Sequence, residues 1–191
     1  MTTGATQIPS GKENTVKLHL GCYQKKIHGF VNVDIREDVE PDVVDDVFTL
    51  KKFNNNSADL ILAVHVLEHL DRKKAESALY RWRDVLKDGG TLMVSVPDMA
   101  AVFEHYICYK DLNILQAFLG GSQKHEFDYH LSHFDYKTLK ELLEKIGFKD
   151  IQLYDRWKTP WSYVDDYSAA YLPHMDFKKG KLMSLNISAK K

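Results

Sequence analysis

Cysteine is scarce. The 191-residue chain carries two, Cys22 and Cys108. Two thiols cannot furnish a four-cysteine zinc site, and neither belongs to a C-x-x-C pair, so both read as free thiols in a reducing cytosol. Long apolar runs are missing as well. None reaches the roughly 18 to 20 residues that a membrane span needs, and "MTTGATQIPSGKENT" lacks the apolar centre of a secretory signal. Charge of one sign is also lacking. The 26 basic and 27 acidic residues leave a net charge of −1, whereas a dedicated nucleic-acid binder would carry a basic excess. No internal repeat or long low-complexity tract occurs. The aromatic content of 12% supplies too much apolar surface for a disordered chain. The expectation is a soluble, cytoplasmic protein with a flexible lead-in over 1–15 and one domain over 16–191.

What is present is an alternation of strand and helix patterns. Val16 to Leu20 alternates apolar with polar, Phe30 to Ile35 follows, and a short strand at Asp42 to Asp45 enters through Pro41. "ADLILAV" at 58–64 is the near-continuous apolar run of a parallel strand buried on both faces. A helix is predicted from Asp71 to about Lys87, with Ala75, Ala78, Leu79, Trp82, Val85 and Leu86 on one face and Gly89 closing its end. Thr91 to Val96 is the fifth strand. A long amphipathic helix is predicted from Asp98 to about Leu119, with Val102, Phe103, Tyr106, Ile107, Ile114, Leu115 and Phe118 as its stripe. A last helix spans Asp135 to Ile146, capped by Asp135 and stopped by Gly147. Strands follow at Phe148 to Tyr154 and Lys181 to Ala189. An aromatic insertion lies between them, at 155–180. The pattern implies a doubly wound α/β fold whose seven-stranded sheet is mostly parallel, with the last strand antiparallel.

In such sheets ligands bind beyond the carboxyl ends of the strands, so those residues carry the functional argument. Strand one ends in "HLGCYQKK", strand two in "NVDI", strand three in "DDVF" and strand four in "LAVHVLEHL". Gly21 lets backbone approach a ligand closely. Asp34 is the acid that would accept two ribose hydroxyls. A dinucleotide fingerprint needs glycines where Tyr23 and Lys26 stand, which disfavours NAD and favours a cofactor without a pyrophosphate.

At this point "KLHLGC", "GFVNVDI", "DVVDDVFTL", "SADLILAVHVLEHL", "LKDGGTLMVSVPD" and "LKELLEKIGF" together resemble the class I S-adenosylmethionine-dependent methyltransferases. The similarity is greatest to the compact, Rossmann-like members associated with surface-polysaccharide genes. It covers about residues 16–154 and extends to the last strand. The resemblance implies S-adenosylmethionine as cofactor. Gly21 and Cys22 would lie against its methionine part, Asp34 with neighbouring Ile35 at its ribose, Asp46 and Val47 at its adenine, and Val64 and His65 towards its methyl group. The family usually has glycine where this chain has Tyr23, a residue that resists positive φ and would either crowd the cofactor or stack on a substrate and partly fill the pocket. That departure favours the alternative, a methyltransferase-fold interaction module without catalysis.

Transfer to an oxygen requires removal of its proton, a task for histidine. Of nine histidines, His65 directly follows strand four, and His130 lies with His125 and His133 in an irregular loop. His65 and His130 are the candidate catalytic residues. His69 reads as structural. Without a histidine pair at i, i+4 in that loop, no metal is expected. Trp157, Trp161 and the nearby tyrosines Tyr163, Tyr167 and Tyr171 are read either as a lid over the acceptor or as a dimer contact or local core. The expected partner is a small-molecule or glycan acceptor, methylated on oxygen.

Overall fold

The computed structural model describes residues 15–191, so the lead-in expected at 1–15 lies outside it except for Thr15. Strand β1 (Lys17–Leu20) buries Leu18 and Leu20 completely. It pairs in parallel with β2 (Val31–Asp34) on one side and β4 (Ala58–Val64) on the other, while β3 (Val43–Val44) extends the sheet beyond β2. The apolar run of β4 puts Ile61, Leu62 and Ala63 out of contact with solvent, as expected for a central strand.

Helix α1 (Arg72–Val85) starts where Asp71 accepts the backbone N–H groups of Lys73 and Lys74. Its buried face is Ala75, Ala78, Leu79, Trp82 and Val85. The helix stops two residues short of the expectation, and Gly89 does not cap it. Leu86 turns extended and pairs with Ala58, so β5 (Leu86–Pro97) begins at once. Sheet pairing outcompetes the last helical turn.

The long helix expected over 98–119 is broken. Helix α2 (Met99–Tyr109) ends with Lys110 in the left-handed region, at φ 56°. Asp111 then accepts the Asn113 N–H and opens a separate turn, a local alternative that competes with helix. Helix α3 (Gln116–Gly120) follows. Of the expected stripe, Val102 and Leu115 are buried, whereas Phe103, Tyr106, Ile107 and Ile114 are exposed.

Helix α4 (Tyr136–Ile146) has the foreseen ends. Asp135 and Thr138 form a reciprocal capping box, and Gly147 closes the helix at φ 99°. β6 (Lys149–Leu153) comes next. The last strand divides at the fully buried Met183. β8 (Lys181–Leu182) pairs with β7 (Tyr171–Leu172) in a small ribbon, and β9 (Ser184–Lys190) enters the main sheet. The seven-stranded order is β3-β2-β1-β4-β5-β9-β6, with β9 antiparallel to both neighbours. Strand order therefore reverses between β1 and β4, which opens a crevice at their carboxyl ends. No helix among the described residues is long and apolar enough to cross a membrane.

Within 155–180, Trp161 and Val164 pack with Ile27, Phe30, Leu62 and Val64 as a second core. The buried Arg156 holds this segment. It pairs with Asp166 at 3.2 Å and donates to the Ser162 and Val164 carbonyls. Of the two readings of the tryptophans, the local core applies to Trp161. Trp157 is half-exposed against Phe177 and Arg156.

Candidate functional site

The crevice is a cleft of about 570 Å³ lined by the loops after β1, β2, β3 and β4, by the 122–131 loop and by Tyr167. Gly21, Cys22, Tyr23, Asp34, Ile35, Asp46, Val47, Val64 and His65 all line it. The nine candidate residues on four different loops thus share one cavity. His130 does not line it but stands behind its wall.

The first loop depends on glycine. Gly21 has φ 63°, and a Cβ there would overlap the Val66 side chain outright. Tyr23 also lies in the left-handed region, at φ 44°, a conformation that resists β-carbons. Its N–H donates to Asp34 Oδ2 at 2.8 Å, and its half-exposed ring sits under the Arg36 guanidinium, 5.4 Å from the ring centre. The backbone at 23 thus keeps a glycine-like path while the side chain is held by Arg36. Cys22 is buried, which pushes its thiol up to about 12, with the Asp34 charge adding to the effect. It is a wall, not a nucleophile.

Asp34 ends β2 and is buried. Oδ1 accepts the Arg36 N–H at 3.0 Å and Oδ2 the Tyr23 N–H. Each oxygen keeps a lone pair, so the carboxylate is fixed in place and still able to accept from a ligand. Asp45 is spent on the backbone of Asp46 and Lys52. Asp46 turns the next loop by accepting the Phe48 N–H at 2.8 Å. The Val47 carbonyl is pinned by the fully buried Trp82, whose indole N–H donates to it at 2.7 Å.

His65 has φ 51°, a strained position for a residue with a side chain. Its Nε2 lies 2.8 Å from Ser184 Oγ, and that hydroxyl itself donates to the Tyr167 carbonyl at 2.6 Å, so Nε2 is the donor to the serine. Its Nδ1 lies 3.0 Å from Glu68 Oε1, an ion pair when the ring is protonated. Glu68 is 1% exposed. Burial alone would raise its carboxyl, but the field of His65, then of His69 and His130, outweighs that and holds it below the usual range. His130 Nδ1 donates to the Phe118 carbonyl at 2.9 Å, and burial lowers its basicity despite the nearby Glu68 charge. His125 lines the cleft, and His133 is tied to the Leu119 carbonyl.

The residue reading missed Glu68 and Ser184, and it had Tyr167 only among the tyrosines of the aromatic insertion. Glu68 carried a signal, a carboxylate between Leu67 and His69 directly behind the strand-four end. Ser184 had none, because it reaches His65 from more than 100 residues away in sequence.

The cleft fits S-adenosylmethionine. A Cβ at residue 21 would fill the close approach after β1, the buried Asp34 retains acceptor capacity, and the volume suits a nucleoside-sized ligand. A methyltransferase-domain family model matches residues 17–153, so the chain belongs to that family, whose methyl donor is S-adenosylmethionine. No curated protein matches the chain. Solved structures show the same fold. An S-adenosylmethionine-dependent methyltransferase from Methanosarcina mazei aligns with a TM-score of 0.62 at 17% identity, over 94% of this chain and 93% of that one. One from Archaeoglobus fulgidus aligns with a TM-score of 0.58 at 18% identity, over 94% and 87%. One from Thermotoga maritima aligns with a TM-score of 0.58 at 17% identity, over 96% and 84%.

Proposed function

We propose that the chain methylates an oxygen of a small-molecule or glycan acceptor of the kind used in surface-polysaccharide biosynthesis. The observation that carries the reading is the junction of the cofactor cleft with the histidine cluster behind His65. Bound S-adenosylmethionine supplies a methyl group already activated by its sulfonium. Gly21 and Cys22 would contact its methionine part, Asp34 would accept from its ribose beside Ile35, Asp46 and Val47 would flank its adenine, and Val64 and His65 would face the methyl. Aligning the acceptor is then the protein's main task. Tyr167, exposed beside His65 with ring centres 5.7 Å apart, offers the aromatic platform, in place of Trp157 and Trp161, neither of which lines the cleft.

Proton removal falls to His65 or His130. With Nδ1 donating to a carbonyl, neutral His130 keeps Nε2 free to accept a proton, and neutral His65, with Nε2 donating to Ser184, keeps Nδ1 free. His65 lines the cleft and would meet the acceptor hydroxyl directly, whereas His130, behind the wall, would act through it. Tyr23 supports the second reading, an interaction module without catalysis.

Incubation with methyl-labelled S-adenosylmethionine and a panel of nucleotide sugars and oligosaccharides, read by mass spectrometry, separates the two. A methyl ether product establishes the enzyme, and absence of product across the panel favours the module. His65→Ala and His130→Ala should each lower turnover by about 10² to 10⁴ while cofactor affinity holds. Full turnover in both variants from about pH 6 to 9, across the usual histidine range, refutes histidine base catalysis.

A further inference from the structure

The 3₁₀ turn after β4 carries Glu68 and His69 side by side. His130 comes 61 positions after His69, yet the structure ties the two segments together. The Glu68 carbonyl accepts the N–H groups of both Leu131 and Ser132, at 2.7 and 3.0 Å, and the Ser132 hydroxyl donates to the Leu70 carbonyl. Backbone hydrogen bonds therefore hold the His130 loop against the turn before any side chain is considered. The Glu68 carboxylate and the two imidazoles each offer one ligand atom, and these atoms lie within 4.8 Å of one another. Tetrahedral bonds of the usual length put such atoms about 3.4 Å apart, a distance that small rotations of the two rings can reach.

The hydrogen bonds fix what each ring presents. His69 Nδ1 lies 3.2 Å from the Tyr129 carbonyl, and His130 Nδ1 lies 2.9 Å from the Phe118 carbonyl. A carbonyl oxygen only accepts, so both Nδ1 atoms carry hydrogen and each neutral ring has its lone pair on Nε2. A backbone carbonyl orienting the far nitrogen is the usual support of a metal-binding imidazole. His130 Nε2 stands 3.9 Å from Glu68 Oε1, a lone pair set against an anion. Among the described residues neither oxygen of Glu68 has a hydrogen-bond partner, although its side chain is 1% exposed. His65 Nδ1, 3.0 Å from Oε1, balances this buried charge only when its ring is protonated, and a cation held also by His69 and His130 would balance it with all three rings neutral.

We propose that Glu68, His69 and His130 bind a first-row divalent cation in the wall of the cleft, with coordination positions left over for an oxygen ligand. Two imidazoles and one carboxylate suit zinc, cobalt, manganese or iron better than calcium or magnesium, which take all-oxygen shells. Unlike Glu68 and His130, His69 also lines the cleft, so the remaining positions open on that side. An acceptor hydroxyl drawn there would become more acidic. With the ion bound, His130 Nε2 is a ligand and not a base, so this acidification takes the place of proton removal by His130. That role rests on the O-methylation reading, whereas the cation site itself does not.

The test uses the full chain after chelator treatment and dialysis, without cofactor or acceptor, so its outcome is independent of methyl transfer. Cobalt is titrated by visible absorption and zinc by calorimetry. One equivalent should bind with a dissociation constant of about 1 μM or below, weaker than four-ligand structural sites, and cobalt should develop visible bands. Glu68→Gln and His130→Ala should each weaken binding by more than the 10- to 100-fold that loss of a supporting partner costs. His133→Ala, whose ring is tied to the Leu119 carbonyl, should bind like the parent chain. Circular dichroism checks folding, and His69→Ala carries the test should Glu68→Gln not fold. No saturable binding to the parent chain would overturn the site and leave protonated histidines as the partners of Glu68. Undiminished binding in the folded variants would overturn it equally.

Discussion

Gly21→Ala is the sharpest perturbation of the cofactor loop. An alanine at φ 63° pays the left-handed penalty of an L-residue, about 1 to 2 kcal/mol. Its Cβ would overlap the Val66 side chain, and Val66 is buried at the start of the 3₁₀ turn that carries Glu68, so it cannot swing aside. Such overpacking costs about 1 to 3 kcal/mol. Alanine's smaller unfolded-state entropy returns about 0.4 to 1 kcal/mol. The net loss should be near 3 kcal/mol, within about 1 to 4.5 by these same terms. Adding Val66→Ala tells the two causes apart, since it removes the overlap and leaves the backbone penalty. The pair should be less destabilised than the sum of its members by about 1 to 3 kcal/mol. Urea unfolding followed by tryptophan fluorescence measures all four corners of the cycle. Additivity within about 0.5 kcal/mol would refute the steric argument, and a single-variant loss below about 1 kcal/mol would refute the backbone argument too.

Tyr23→Gly should change stability by less than about 1 kcal/mol, because relief of the left-handed strain offsets the added freedom of the unfolded chain. It should tighten cofactor binding if the ring crowds the cleft and weaken it if the ring packs on the ligand. Unchanged affinity in calorimetry would show that Arg36 holds the ring clear of the cofactor. Asp135→Ala should cost about 1 kcal/mol at neutral pH through loss of the α4 cap. The Thr138 side chain, then its N–H, hold the Asp135 carboxyl below its ordinary value of 3.8. Its contribution is therefore complete above that value and fades as pH falls through the lower folded-state value. Wild type and variant should converge in urea melts at acid pH, and a gap independent of pH would count against the cap.

The elements legible in the sequence were those whose local signals and tertiary demands agree. β4 was readable residue for residue because its apolar run is buried on both faces. The start and end of α4 were readable because Asp135 and Gly147 each act locally. The long second helix was misread because the periodicity through Tyr106 and Ile107 is real but faces outward, and Asp111 competes for the backbone two residues after α2 ends. The helix-to-strand change at Leu86 was invisible because pairing with Ala58 is a tertiary event. For the site, strand-end residues were readable since sheet topology alone brings them together. The setting of Glu68 was not, because the loop that encloses it arrives 63 and 64 residues later, through Leu131 and Ser132.

The most direct test of the account is titration calorimetry of S-adenosylhomocysteine, the demethylated cofactor, on the wild type and on Asp34→Ala. Asp34 also holds the Tyr23 and Arg36 amides, so circular dichroism must first show the variant folded, with Asp34→Asn as the milder companion. The account predicts one-to-one binding to the wild type and a loss of about 1.5 to 3 kcal/mol in Asp34→Ala, the range for hydrogen bonds to a charged group, or about 10- to 150-fold in affinity. No binding to the wild type, or equal affinity in a folded Asp34→Ala, would contradict it.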